Sequence, residues 1–180
     1  MKLRCSSIRE MQFAWILSFV LFFSTVAFAQ ADDEEKEPAA TLEIGAAPGW
    51  SLTDPGSSFG PTVALEMTPI KNWLEIEMGT TSSFGRHSTE WGTDFLFKKP
   101  WDLRSGIEFM IGIGPEWLNT RKYGVRTNSL AAETVLDFMF WKGSAHKIGW
   151  YFEPTYEYSF QAGHEKSLGF STGLLIGIHR

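Results

Sequence analysis

The stretch LEIEMG, residues 74 to 79, decides the fold. In an extended chain Leu74, Ile76 and Met78 point to one side and Glu75 and Glu77 to the other, because side chains of a strand alternate with period two. One face is apolar and the other is acidic. LEIG (42–45), ALEM (64–67), IEFMIG (107–112), AETVLDFMF (132–140) and FEPTYEY (152–158) repeat the device.

Working outward, alternation bounded by turn residues gives candidate strands near 40–51, 59–68, 72–82, 89–98, 103–117, 129–141, 148–160 and 168–179. No helical stripe at i, i+3, i+4 spacing competes with them. Short connections are expected at PIKN (69–72), KKPWD (98–102) and KGSAHK (142–147), and mostly longer ones around TDPGSS, SFGRHS, NTRKYGVRTN and QAGHEK. Alternating short and longer connections between an even number of strands predict an all-β fold. It is a closed, eight-stranded antiparallel up-and-down barrel, with the longer loops at one end and no unpaired edge.

Periodicity alone does not say which face is outside, since a soluble barrel around an apolar cavity alternates too. Three observations put the apolar face out and make the barrel transmembrane. The polar face carries Glu, Asp, Gly, Ser and Thr with almost no Lys or Arg, whereas a water-facing surface mixes both signs. Trp50, Trp73, Trp91, Trp101, Trp117, Trp141 and Trp150 fall at or near strand ends or in turns, as aromatic girdles at two membrane interfaces do. Parity turns Trp73 and Trp141 inward. The apolar face is also long, as in Leu103, Ile107, Phe109, Ile111, Ile113, Trp117 and in Leu168, Phe170, Leu174, Ile176, Ile178.

The start of the chain fits export. Lys2, Arg4 and Arg9 precede the apolar run FAWILSFVLFF (13–23), and Ala27 and Ala29 fit a small-residue cleavage site. Residues 1–29 are therefore expected to be a signal peptide, residues 30–39 an acidic leader, and residues 40–180 the barrel. Cleavage would remove three basic residues and Glu10 from the 16 basic and 21 acidic ones, leaving 13 against 20 and a net charge near −7. Nucleic acid is an unsuitable partner for such a chain. The one cysteine, Cys5, lies in the expected signal peptide, so the mature barrel would have no disulfide.

The barrel sequence resembles the small eight-stranded outer-membrane β-barrels of Gram-negative bacteria over residues 40–180. WGTDFLFKKPWDL, EFMIGIGPEW and LDFMFW are similar to stretches in a group of short, porin-like secreted barrel proteins to which no activity attaches. The resemblance implies a place in the cell outer membrane, with the lipid bilayer and the outer-membrane assembly machinery as partners, and it implies no cofactor. The sequence departs from it at IGIHR, where such barrels usually end in an aromatic residue.

Twelve carboxylates have inward parity: Glu43, Glu66, Glu75, Glu77, Glu90, Asp94, Glu108, Glu116, Glu133, Asp137, Glu153 and Glu157. In the strands only Lys98 and Arg104 share that face, in the lumen or at its rim. Pairing across the short turns sets Glu66 opposite Glu75, Asp94 opposite Glu108, Asp137 opposite Glu153, Glu133 opposite Glu157 and Lys98 opposite Arg104, unless the register slips by two. Like charges so placed need shared protons, cations or water between them. The expected function is that of a non-catalytic structural or interaction barrel with an acidic polar interior. The alternatives are a narrow cation-binding or cation-selective pore, an outer-membrane lipid hydrolase and a soluble periplasmic ligand-binding barrel. Hydrolase chemistry would draw on Arg86, His87, Ser88, Thr89 and Glu90, but adjacent His87 and Ser88 point to opposite faces of a strand. His146, His164 and His179 lack metal-ligand spacing.

Overall fold

Period-two alternation carries into eight strands in the computed structural model, which describes residues 38–179 apart from 54, 55, 144 and 162. The strands are β1 (Ala40–Ser51), β2 (Gly56–Ile70), β3 (Leu74–Gly85), β4 (Ser88–Arg104), β5 (Ile107–Lys122), β6 (Val125–Trp141), β7 (Ile148–Ser159) and β8 (Lys166–Ile178). Each pairs antiparallel with its sequence neighbours, and β8 closes on β1, so the sheet is a closed up-and-down barrel. The expected signal peptide and most of the acidic leader lie outside the described residues.

The connections differ from the expected alternation of short and long. NTRKYGVRTN is a tight hairpin: Tyr123 and Gly124 both have positive φ, the conformation of a type I′ turn, and β5 and β6 run to Lys122 and from Val125. SFGRHS likewise turns at Arg86 and His87 alone. KKPWD is no turn at all, because β4 continues through it to Arg104 and the chain reverses at Ser105 and Gly106. A proline between lysines and a Trp-Asp pair looks like punctuation, yet Pro100 sits in register opposite Met110.

The outer surface is apolar. Ile44, Val63, Met78, Phe95, Phe97, Ile111, Ile113, Leu136, Leu174 and Ile176 are all exposed. Trp50, Trp91 and Trp117 are exposed near the end carrying residues 52–53, 86–87, 123–124 and 163–165, hereafter the loop end; Trp73, Trp101 and Trp150 are exposed near the opposite, turn end. Trp91 and Trp101 lie ten residues apart on one face of β4. At roughly 3.3 Å per residue and a tilt of about 40° that separation is about 25 Å in height. Lys99 points out between them, lays its ammonium 5.5 Å from the Trp101 ring and hydrogen-bonds the Asn72 carbonyl in the turn below. Trp73, turned inward by simple parity, is exposed because it belongs to the turn; Trp141 does face inward and is buried.

The interior is not acidic throughout. Toward the turn end Met110, Met139, Trp141, Tyr151 and Leu175 form a buried apolar cluster inside the barrel, where the parity reading anticipated a polar filling. Inward positions of β5 and β6 thus mix Met, Leu and Val with acids, and β8 sets Leu175 among inward serines and glycines.

Candidate functional site: an acidic lumen divided by Lys98

Lys98 enters the lumen from β4 and is 1% exposed. Its Nζ lies 2.8 Å from Asp137 Oδ2 on β6, 2.7 Å from Glu153 Oε2 on β7 and 3.5 Å from Glu66 Oε2 on β2, and it also pairs with Glu77 on β3. One ammonium therefore ties five strands across the bore. Glu43 of β1, 2% exposed, completes the layer: carboxylate oxygens of Glu43, Glu66, Glu77 and Asp137 lie within 4.8 Å of one another. Such a convergent set of hard oxygen donors suits a cation, and here the lysine ammonium stands beside it.

Register explains the gathering. Glu66 lies directly opposite Glu77, not Glu75, and Glu75 lies opposite Lys98 on its other side. The shift of two arises because β2 runs on to Ile70 and β3 begins at Leu74, so the chain reverses later than expected, and the irregularity between Met67 and Ile70 takes back one residue of that displacement. Glu66 and Glu75 still meet as diagonal neighbours and hydrogen-bond side chain to side chain, an arrangement that needs a proton on one of them. Glu133 lies opposite Glu157, and the same register on both sides of Asp137 brings it to Glu153. Two expected pairs do not form. Asp94 is opposite Glu116 and Glu108 is opposite Asp102, since the β4–β5 reversal comes later than KKPWD. Lys98 is opposite Gly112, while Arg104, past a bulge at Asp102, is exposed at the end of β4 outside the lumen cluster.

The Lys98 layer separates two cavities. On the turn side is a chamber of about 30 Å³, lined by Thr41, Glu66, Glu75, Glu108, Trp141 and His146 among others. His146, which spacing did not single out, sets its Nδ1 3.5 Å from Glu108 Oε1 and stacks on Trp141 at 5.1 Å between ring centres. On the loop side a vestibule of about 720 Å³ opens at the barrel mouth. Glu77 and Glu153 are at its floor, Asp94, Glu116, Glu133 and Glu157 are on its walls, and Arg86, Lys122 and Lys166 are among the mouth residues. Glu90 accepts a hydrogen bond from Thr120 (2.6 Å), Glu157 one from Ser167 (2.9 Å) and Glu153 one from Ser171 (3.3 Å). Small residues make room: a Cβ on Gly92 would sit 2.4 Å from Glu116 Oε1, and one on Gly79 2.6 Å from Asp94 Oδ2. His87 and Ser88 also line the mouth, where the His87 ring stacks on Tyr123 at 5.5 Å.

Solved structures share this architecture. The chain matches Neisserial surface protein A with a TM-score of 0.61 at 11% identity, over 77% of this chain and 96% of that one. The fold is that of the small outer-membrane β-barrels. The N-terminal β-barrel domain of Pseudomonas aeruginosa OprF matches with a TM-score of 0.54 at 11% identity, over 76% and 97%. Ail, the attachment invasion locus protein of Yersinia pestis, matches with 0.52 at 12% identity, over 78% and 99%. No protein-family model and no curated protein sequence matches the chain.

Proposed function

We propose that the chain is a small outer-membrane β-barrel, exported by a cleaved signal peptide, that is closed to ions and acts as a structural or interaction protein rather than as an enzyme. The observation that carries this reading is the Lys98 layer. Ion pairs from β2, β3, β6 and β7 meet on one ammonium, and beneath them Met110, Met139, Trp141, Tyr151 and Leu175 fill the β5–β8 side of the bore, leaving beside them a chamber of only about 30 Å³. An ion crossing the barrel would have to break that clasp and then squeeze past this apolar packing, whereas a conducting pore keeps a continuous polar, hydrated path. Membrane residence is supported by the exposed apolar belt and by tryptophans spaced at about the 25 Å expected of an outer-membrane barrel. The fold likeness agrees with it, and two of the similar proteins are named for surface exposure or attachment. The loop end is then the face offered to a partner.

Fractionation tests the place and bilayer recording tests the closure. The barrel should run as a heat-modifiable band from outer-membrane fractions and give no steps in planar bilayers between mildly acid and alkaline pH. Recovery from the periplasm without detergent would instead make it a soluble barrel. Small, pH-sensitive, cation-selective steps would favour the pore reading, for which the acidic vestibule is the supporting feature.

A further inference from the structure

The vestibule has a property that closure of the barrel does not require. Glu116 is only 9% exposed, lines the cavity, and has no hydrogen-bond or ion-pair partner among the described residues. The charged groups that act on it are Glu157, Asp94 and Glu90, every one acidic. Glu133, across from Glu157 and half-buried, is similarly surrounded: the charges bearing on it most strongly are Glu116, Asp94, Glu153 and Glu77. Asp94 Oδ2 is likewise buried without a hydrogen-bond donor. Burying a carboxylate without a donor is costly, and a lumen that only had to be polar would give these groups the hydroxyls that Glu90 and Glu157 receive from Thr120 and Ser167.

The spacing of these acids says what would satisfy them. Among the described residues the set whose oxygens converge within 4.8 Å is Glu43, Glu66, Glu77 and Asp137, below the vestibule and beside Lys98. The vestibule acids are instead spread along the barrel. On β4 alone, Glu90 and Asp94 are four residues apart, about 13 Å along the strand. A single metal ion reaches one level of such a ladder. A flexible chain carrying several ammonium groups reaches several levels at once, and each ammonium offers three donors, to Glu116 and Glu133, which have none, and to Asp94, Glu90 and Glu157, which have spare lone pairs.

We propose that the vestibule is a binding site for a linear aliphatic polyamine, entering from the loop end with its leading ammonium between Glu116, Glu133 and Asp94 and its trailing ones near Glu157 and Glu90. Lys98 and its carboxylates form the floor that stops it. This inference goes beyond the closed-barrel reading and is independent of where the barrel resides, since it needs only the folded lumen.

The test is calorimetric titration of the full-length mature barrel, refolded in zwitterionic detergent, with the linear tetraamine spermine, and separately with Mg²⁺ and with n-butylamine. One saturable site for spermine is expected, weakening with ionic strength. Mg²⁺ and the monoamine should bind at least tenfold more weakly. Glu116→Gln should weaken spermine about fivefold or more, and Glu116→Gln with Glu133→Gln at least twentyfold. Both variants are to be checked for the heat-modifiable band, and the single variant carries the test if the double one does not fold. Absence of saturable spermine binding would overturn the proposal. So would binding that is indifferent to Glu116→Gln, or Mg²⁺ binding as tightly at the same site, which would make the vestibule an unselective store of counterions.

Discussion

Lys98 is the residue on which the interior turns. Its ammonium holds carboxylates from four other strands, so removing it leaves Asp137, Glu77, Glu153 and Glu66 facing one another in a closed bore. Lys98→Met should cost about 3–5 kcal/mol of stability, the range for stranding buried charges, measured by unfolding in detergent. Glu66→Gln is the contrasting case. The amide can still donate to Glu75, relieves one of several negative charges and gives up the longest of the Lys98 pairs, so its cost should stay within about 1 kcal/mol in the same measurement. A loss as large as that of Lys98→Met would show that the Glu66–Lys98 pair carries much of the layer. At this scale the sequence was partly legible. Lys98 stood out as almost the only base on an acidic face, and Glu66 and Glu75 were recognisable as partners. That Glu43 and Glu77 join them from β1 and β3 was not, because the bore brings together strands far apart in sequence and period two says nothing about axial level.

At the scale of the strand, the outward face is where sequence and structure agree best, since one rule, apolar at every second position, governs it. β4 and β5 show where that rule runs out. KKPWD reads as a turn because Lys, Pro and Asp are rare in central strands, but both lysines have a local reason to be there: Lys98 is drawn into the acid cluster, and Lys99 lies along Trp101 toward the turn end. Because β4 runs on through KKPWD, Asp94 meets Glu116 and not Glu108, whereas β6 and β7, which do turn at KGSAHK, pair as their sequence predicts. The same face makes a direct prediction. Ile176 is exposed on β8, and Phe109 packs on the outer side against Trp101 and Phe138 at 5.8 and 4.9 Å between ring centres. Both lie near the level of Trp101 and Trp150, where Arg should cost only about 0–1 kcal/mol. Phe97→Arg or Ile113→Arg, midway between Trp91 and Trp101, should instead cost about 2–4 kcal/mol near a bilayer midplane and reduce the folded, heat-modifiable fraction in vesicles. Arg variants at Phe97 and Ile113 that assemble like the parent would mean that this belt does not meet lipid.

For the whole molecule, direction matters as much as shape. The loop end bears the vestibule mouth and its ring of Arg86, Lys122 and Lys166. If that end faces out of the cell, single cysteines replacing His87 or Tyr123 should react with an impermeant thiol reagent on intact cells, and one replacing Ser105 should react only after lysis. The reverse pattern would invert the topology. Closure itself has a further consequence, in time rather than space. Seven of the eight ladders join strands that follow one another along the chain, so each can form as a hairpin; the eighth joins β1 to β8 across nearly the whole barrel sequence. Entropy makes so distant a meeting the slow event. At that seam Gly45 faces Gly173, where an added Cβ would come within 2.3 Å of the Thr172 carbonyl oxygen from one side and 2.1 Å of the Ile44 carbonyl oxygen from the other. The last ladder to form thus also has little tolerance for bulk, and the Lys98 layer, with Glu43 on one bank of the seam, is finished only when it shuts.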